Sequence, residues 1–274
     1  MYLDFHTHGK LAKQLPFSEN YTHWLFSEAK KAGLDALCLT EHFNTLGFDQ
    51  LYRYIAAHSE KDGDTLLFDG LRIFPGMETD IAEGGHILSI GPLEAILELN
   101  QRLGPYKARG KFLSFDQLMD FFDQYPVIVG GAHPFREGGH IPELPQKQLQ
   151  RFDFFDLNGK DVAEHREQTE AQTYELGCRL NKPVIGGSDT HQAVQYGCIR
   201  TRFPHTINQT QKLYEEMLNG NYEIDISEKA AFQVKTAILL KRSLKEIHAL
   251  GGNYIAVLMG KGPAWDAVHV EGKL

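Results

Sequence analysis

The stretch "DFHTHG" (residues 4–9) places two histidines at the end of the first apolar run of the chain. Residues two apart on a β-strand point to the same side, so His6 and His8 are predicted to face one metal ion together. Other segments that follow or contain a short apolar run carry the same kind of residue: "LTEHF" with His42, "FPGMETD" with Glu78, "GGAHPF" with His133, and "GGSDTH" with Asp189 and His191, while "GGHILSIG" adds His86. Histidines and carboxylates at strand ends, with no cysteine among them, indicate a multi-metal hydrolytic centre at the mouth of a barrel.

Strand-like and helix-like segments alternate from the first residue, which predicts an α/β fold with a parallel sheet and right-handed crossovers. The segment "HILSIG" is predicted to return beside "LRIFPGME". Because no Pro-, Ser- or Gly-rich linker divides the chain, we predict one barrel domain over residues 1–274. In that domain the last helix and tail, about residues 228–274, form a C-terminal extension. The last two dozen residues are predicted to be a hairpin or a loose tail.

The composition is that of an ordinary globular protein, with 42% hydrophobic and 23% charged residues among 274. A formal charge of −8 argues against a stable nucleic-acid complex. The apolar runs are far shorter than the roughly 20 residues that cross a bilayer, so no membrane association is predicted. The N-terminus opens directly in strand-like sequence, and Cys38, Cys178 and Cys198 are predicted to be buried thiols. We therefore predict a cytoplasmic location.

In their order along the chain, the motifs "HTH", "TEH", "PGME", "GHIL", "AHPF" and "GSDTH" resemble those of the PHP family (polymerase and histidinol phosphatase). Each motif alone is weak, but their joint occurrence in this order is specific, and the resemblance covers roughly residues 1 to 205. It implies a distorted (β/α)7 TIM-like barrel with the active site at the C-terminal ends of the strands. It also implies hydrolysis of phosphate esters with two or three divalent metal ions, usually manganese, iron or zinc.

Carried over residue by residue, the resemblance implies a first metal bound by His6, His8 and Asp189. It implies that Glu78 bridges the first and second metals, a role that suits a carboxylate with two oxygens.

The same carry-over implies that His86 and His133 complete the second metal, while His42 and His191 face a third position. Asn158, in "FDLNGKD", is expected to support a ligand or a substrate oxygen.

One departure from the family pattern concerns the loop that follows the first histidine pair. Many members carry a His or Asp there for the third metal, whereas residues 9–14 read "GKLAKQ" and offer neither. We therefore expect two tightly held ions and a third position that is empty, weakly filled, or occupied only when substrate phosphate supplies oxygens. Lys10 or Lys13 could supply positive charge instead, or both could be solvated.

Further residues are assigned to the chemistry of phosphate. If the third metal is absent, His191 or His42 is predicted to protonate the leaving group, since imidazole titrates near neutrality. Arg136, in "HPFR", is the best-placed cation for phosphate, followed by Arg200 and Arg202. The predicted catalytic set is Glu78, Asp189, His191 and Arg136.

Three functions stay open on the sequence. The first is a metal-dependent phosphoesterase, a phosphatase or phosphodiesterase acting on a small phosphorylated metabolite or nucleotide. The second is an amidohydrolase-type hydrolase, which the "TEH" and "GMETD" segments fit poorly. The third is a non-catalytic accessory module of the PHP type, against which the nearly full ligand set argues.

Overall fold

The computed structural model describes residues 1–260, so the part of the predicted tail in residues 261–274 lies outside the described residues. The strands are β1 (Tyr2–Thr7), β2 (Ala36–Leu39), β3 (Ser59–Asp62), β4 (Thr65–Phe68), β5 (Leu71–Asp80), β6 (His86–Ile90), β7 (Ile128–Ala132), β8 (Phe154–Asn158), β9 (Val184–Gly187), β10 (Ile199–Arg202) and β11 (Glu223–Ile226). The helices are α1 (Glu19–Lys31), α2 (Phe48–Ala57), α3 (Leu93–Arg102), α4 (Phe115–Phe122), α5 (Gln146–Leu149), α6 (Gly159–Leu180), α7 (Thr210–Leu218), α8 (Ala230–Ala249) and α9 (Tyr254–Leu258).

The strands form one nearly closed, barrel-shaped sheet in the order β11-β10-β1-β2-β5-β6-β7-β8-β9, which confirms the predicted TIM-like α/β barrel. The sequence predicted a parallel sheet, whereas the observed sheet combines parallel pairs with antiparallel ones. Strand β6 runs antiparallel to both of its neighbours, and β10 runs antiparallel to β1 and β11. The physical reason at β6 is the short turn after β5, because a parallel return needs a crossover of a dozen or more residues. The antiparallel hairpin of β3 and β4 was not predicted.

The barrel closes where the end of β9 meets β1. The backbone N–H of Asp189 donates to the carbonyl of His6 (2.7 Å), and that of His8 donates to the carbonyl of Thr190 (3.0 Å). Gly187 permits this approach, because a Cβ there would lie 2.6 Å from Asp156 Oδ1 and 2.6 Å from the Cβ of His6. The first and ninth strands are therefore joined next to the histidines of "DFHTHG".

A buried apolar cluster holds the barrel together. It includes Phe5 of β1, Phe74 of β5 and Phe154 of β8, and it extends to Leu213 of α7. Burial of such side chains is the main favourable contribution to folding. The three cysteines are unpaired, and Cys38 and Cys198 are buried as predicted, whereas Cys178 is exposed.

Helix α8 lies against α6 after the last strand. Ala230, Val234, Ala237 and Leu244 form its buried stripe at the three- and four-residue spacing of a helix face. Its outer face exposes large side chains such as Phe232. Among the helices of residues 1–260, none combines the length and apolar character that a membrane crossing requires.

Candidate metal centre

The strand ends bring the predicted metal ligands together. In the described part of the chain, His, Asp and Glu side chains form three groups whose ligand atoms lie within 4.8 Å of one another. The first group is His6, His8 and Asp189; the second is Glu78, His86 and His133; the third is His8, His42 and His191. Together they contain all eight predicted ligands, which we call the ligand cluster.

The first group lies at the barrel seam, the junction where the end of β9 meets β1, and takes residues from both sides of it. His8 Nε2 lies 3.2 Å from Asp189 Oδ1, and His6 Nε2 lies 3.9 Å from the same oxygen. Asp189 has φ 55° and His133 of the second group has φ 30°. Residues other than glycine seldom adopt this left-handed backbone conformation, and backbone strain of this kind is concentrated at functional sites.

Glu78 belongs to the second group, and its carboxylate also lies close to histidines of the other two groups. Its Oε1 is 2.7 Å from His86 Nδ1 and 3.2 Å from His133 Nε2. Its Oε2 is 2.5 Å from His42 Nδ1 and 3.7 Å from His8 Nε2. This position suits the bridging role that the family resemblance implies.

Several buried polar atoms of the ligand cluster have no hydrogen-bond partner. The atoms without a hydrogen bond include both ring nitrogens of His8, Nε2 of His6, Nδ1 of His42, Nδ1 of His191 and Oε2 of Glu78. The short contact between His42 and Glu78 therefore does not have the angles of a hydrogen bond. A buried unsatisfied polar group typically costs about 1–3 kcal/mol. Imidazole and carboxylate atoms converging in this way fit divalent metal ions, which would coordinate them.

The protonation of the metal-free cluster follows from its charges. Burial opposes ionisation of Glu78, but His42 and His86 hold the pKa of its carboxyl well below the usual range. Burial would lower the pKa of His6, yet Glu78 and Asp189 raise it to about 10. Glu78 likewise raises the pKa of His86 to about 9 against the effect of burial. Without metal, these two imidazoles therefore hold protons.

Three imidazoles of the cluster, those of His42, His133 and His191, are neutral near pH 7. Burial lowers the pKa of His42 and of His133 to about 4, and it places the pKa of His191 well below its ordinary value. Neutral imidazoles bind metals readily. Proton transfer from His191 or His42 to the leaving group stays a prediction, and it requires a ring that carries a proton at the working pH.

Asp156 holds His6 from behind, and the sequence did not reveal it. Its Oδ2 lies 2.9 Å from His6 Nδ1 and accepts a hydrogen bond from Asn158 Nδ2 at 2.8 Å. Carboxylates in this position fix the tautomer and the orientation of a metal-binding histidine. Asn158 thus acts on a ligand through Asp156, and it also caps the first turn of α6 by accepting from Lys160 N. The available signal was an acidic residue on the same strand, two positions before Asn158.

The guanidinium of Arg136 donates hydrogen bonds to three side chains of the protein. Its Nη1 donates to Asp189 Oδ2 (2.8 Å), its Nε to Asp161 (2.9 Å) and its Nη2 to Asn158 (2.7 Å). In this arrangement Arg136 positions Asp189, which differs from the predicted direct contact with phosphate.

The other two predicted arginines, Arg200 and Arg202, pair with carboxylates of β11. Their partners are Asp225 and Glu223. The guanidinium of Arg200 also covers the ring of Tyr2. Both arginines are therefore occupied within the sheet of β10 and β11.

The loop after the first histidine pair serves the fold. Lys10 is buried, and its ammonium donates to Thr45 Oγ1 (3.0 Å) and to the carbonyl of Leu46, so it is not solvated. Lys13 lies 3.4 Å from Asp80, which in turn lies 3.1 Å from His86 Nε2. The predicted pair of imidazoles at the third position is joined by His8, and no carboxylate of residues 9–14 is present to assist them.

A cationic cavity of about 330 Å³ adjoins the ligand cluster. Lys160 lines it and places its Nζ 2.8 Å from Asp189 Oδ2. Helix α8 supplies Lys241, and burial together with Lys160 lowers the pKa of Lys241 to about 8. The sequence did not reveal either lysine, because nothing in their local pattern separates them from solvated ones.

Comparison with known proteins places this geometry in a family. The chain resembles the crystal structure of PsfC from Pseudomonas syringae PB-5123, with a TM-score of 0.73, 22% identity, and coverage of 89% of this chain and 98% of that chain. It also resembles the lesion-specific endonuclease PfuEndoQ from Pyrococcus furiosus, with a TM-score of 0.59, 16% identity, and coverage of 81% of this chain and 57% of that chain. At these identities the likeness shows the fold alone.

A further structural match is Endonuclease Q in complex with a 27-mer duplex that carries an abasic lesion, with a TM-score of 0.60, 16% identity, and coverage of 82% of this chain and 58% of that chain. Among curated proteins none matches the chain significantly. The family model for the PHP domain matches residues 4–226, which include every member of the ligand cluster and end before α8. The chain therefore belongs to the PHP domain family.

Proposed function

We propose that this protein is a metal-dependent phosphoesterase that hydrolyses a small phosphorylated metabolite or nucleotide. The observation that carries the proposal is the set of buried imidazole and carboxylate atoms that converge without hydrogen-bond partners. Membership of the PHP family supports the same chemistry. Because the ligands are nitrogen and oxygen with no thiolate, manganese, iron and zinc are the expected ions.

Divalent ions in these groups would supply Lewis acidity and lower the pKa of water towards roughly 7. The protein's part is to hold the ligands and to stabilise charge. Glu78 reaches all three groups, and Asp189 is held by cations on its outer oxygen. Lys160, which borders the cavity, is the cation placed to attract an anionic substrate to this edge.

A small substrate is favoured over a nucleic acid by two features of this chain. The cavity beside the cluster, at about 330 Å³, is of the size of a small-molecule site. The formal charge of −8 disfavours binding of a phosphate backbone. We therefore propose a small phosphorylated substrate. Duplex DNA with an abasic lesion is included in the test as the alternative substrate.

The test begins with protein stripped of metal by a chelator. Manganese, iron or zinc is added back, and hydrolysis of p-nitrophenyl phosphate, its bis ester and a panel of phosphorylated metabolites is measured. We expect no turnover without metal and recovery with at least one ion. The relative rates on the mono- and bis ester assign phosphatase or phosphodiesterase activity. Full activity in protein shown to be metal-free would refute the proposal, and cleavage of the lesion-containing duplex alone would replace the substrate class.

A further inference from the structure

Helix α8 carries a lysine where its register calls for an apolar side chain. The buried stripe of α8 runs through Val234, Ala237 and Leu244, and position 241 falls in the same stripe, four residues after Ala237 and three before Leu244. Lys241 occupies it, and its side chain lines the cavity beside the ligand cluster. Lys241 is half-buried in this stripe, and because lysines are mostly exposed unless they are paired, its place here points to an anionic ligand.

The cavity gathers more positive charge than the protein neutralises. Lys241, Arg242 and Lys245 of α8 line it together with Lys160, whereas Glu246 is the carboxylate among its lining residues. Lys160 is paired with Asp189. Within residues 1–260, Lys241, Arg242 and Lys245 have no carboxylate oxygen within 4.0 Å. Clefts lined by one sign of charge concentrate ligands of the opposite sign.

The cavity that these cations line lies next to the ligand cluster, where the phosphate of the substrate would bind. His191 belongs to the third ligand group and also lines the cavity, so the two sites share a wall. A phosphate bound at the ligand cluster would have its charge offset there by metal ions and by Lys160. The cations of α8 would then face the remainder of the substrate molecule.

We propose that this cavity binds a second anionic group of the substrate, a carboxylate or a phosphate remote from the scissile ester, and that Lys241 determines this specificity. The inference rests on the proposed phosphoesterase function and names its substrate class. It also assigns a role to α8, which lies beyond the residues 4–226 that match the family model.

The test uses three phosphate monoesters that share a three-carbon chain and differ at the far end: 3-hydroxypropyl phosphate, 3-(phosphonooxy)propanoate and propane-1,3-diyl bisphosphate. Hydrolysis is measured for the metal-loaded full chain and for Lys241→Met, which keeps the apolar stem and removes the charge. Lys235→Met, at an exposed position of the same helix, is the matched control.

For the wild-type protein we expect kcat/KM to be higher for one or both esters with an anionic far end than for the hydroxyl ester. Lys241→Met should lower kcat/KM for the preferred anionic ester by about 10- to 100-fold, the usual value of a hydrogen bond to a charged group. It should change the hydroxyl ester by no more than about twofold, the range expected of a change outside its contacts. The preference between the carboxylate and the phosphate ester identifies the anion, and Lys235→Met should leave all rates unchanged.

Two outcomes would overturn the inference while keeping the proposed function. Equal rates on the three esters would show that the cavity does not distinguish the groups at the far end of the substrate. A uniform loss on all three in Lys241→Met would place Lys241 at the scissile phosphate. If neither these esters nor the substrates of the preceding test are hydrolysed with any metal, the proposed function fails, and calorimetric binding of the three esters then decides the inference. Tighter binding of the anionic esters that Lys241→Met abolishes would support it, and equal binding would reject it.

Discussion

The ligand cluster and the cationic face of α8 border the same cavity but are built in opposite ways. The cluster is assembled from separate strand ends, is largely buried, and is held by backbone bonds and by groups such as Asp156. The cationic face of α8, formed by Lys241, Arg242 and Lys245, comes from one helix, and its side chains lack carboxylate partners within the described residues. Under the two proposals above, the buried cluster would perform the reaction and the more exposed face of α8 would select the substrate.

The largest expected effect is loss of a charged ligand from the cluster. Glu78→Gln and Asp189→Asn should each lower kcat by more than about 100-fold on every ester, since loss of mere supporting groups already costs 10- to 100-fold. Steady-state kinetics at saturating metal measures the effect, and thermal melts show that the fold persists. Glu60→Gln, at an exposed position of β3, serves as the control. Near wild-type rates in either ligand variant would place the reaction elsewhere and end the comparison.

The next effect concerns the groups behind the cluster. Asp156→Asn removes the charge beside His6 Nδ1, and we expect metal affinity to fall by about 10- to 100-fold. Competition with a chelating dye measures the affinity. The relative rates on the esters with different far ends should stay as in the wild type, because Asp156 does not border the cavity. A changed substrate preference with unchanged metal affinity would reverse the roles assigned to the two regions.

A smaller effect is expected where the cluster depends on close backbone packing. Gly187→Ala adds a Cβ that would lie 2.6 Å from Asp156 Oδ1 and from His6 Cβ, so we expect unfolding to become easier by about 1–3 kcal/mol. Gly104→Ala is the matched control, since a Cβ there meets nothing within 4 Å. Chemical denaturation of both variants measures the difference. Equal stability would mean that the seam between β1 and β9 is looser than the structure indicates.

The smallest effect is the pH dependence of metal binding. In the metal-free protein the pKa of His6 is raised to about 10 and that of His86 to about 9, so both hold a proton at pH 7. A metal requires the neutral ring, so binding releases these protons and affinity rises as pH increases towards those values. We expect about a tenfold gain per pH unit for each ion that displaces one proton. Calorimetry in buffers of different ionisation enthalpy counts the protons, and an affinity independent of pH from 6.5 to 8 would contradict this protonation state.

Much of the centre was predictable because its ligands lie in short, local motifs. The histidines of "HTH" and "AHPF" lie at or just after the end of a strand, and strand ends meet at one edge of a barrel, so these motifs predict that the histidines lie close together. Strand direction was not predictable in the same way. A period of two along "HILSIG" is the same for parallel and antiparallel pairing, and only the length of the connecting turn distinguishes them. The hairpin of β3 and β4 was missed because "SEKD" and "TLLF" are short and the first is polar.

The residues that depend on tertiary structure could not be found from local patterns. The position of Arg136 three residues after His133 suggested a contact with phosphate, but Asp161 and Asp189, distant in sequence, accept hydrogen bonds from its guanidinium. Lys241 is one of several lysines on a long helix, and only the packing of α8 against α6 brings it to the cavity. Such assignments require knowledge of which helix faces lie next to the sheet.

Because the first ligand group spans the barrel seam, a metal ion bound there would link the two strands that meet at it. Strands β1 and β9 are joined near Thr7 and Thr190 by few backbone bonds, and the first ligand group spans the same junction. An ion held by His6, His8 and Asp189 would act as a reversible cross-link that closes a loop of most of the chain, which restricts the unfolded ensemble. Metal would then slow hydrogen exchange at the amides of Asp189 and His8, the two backbone donors across this junction.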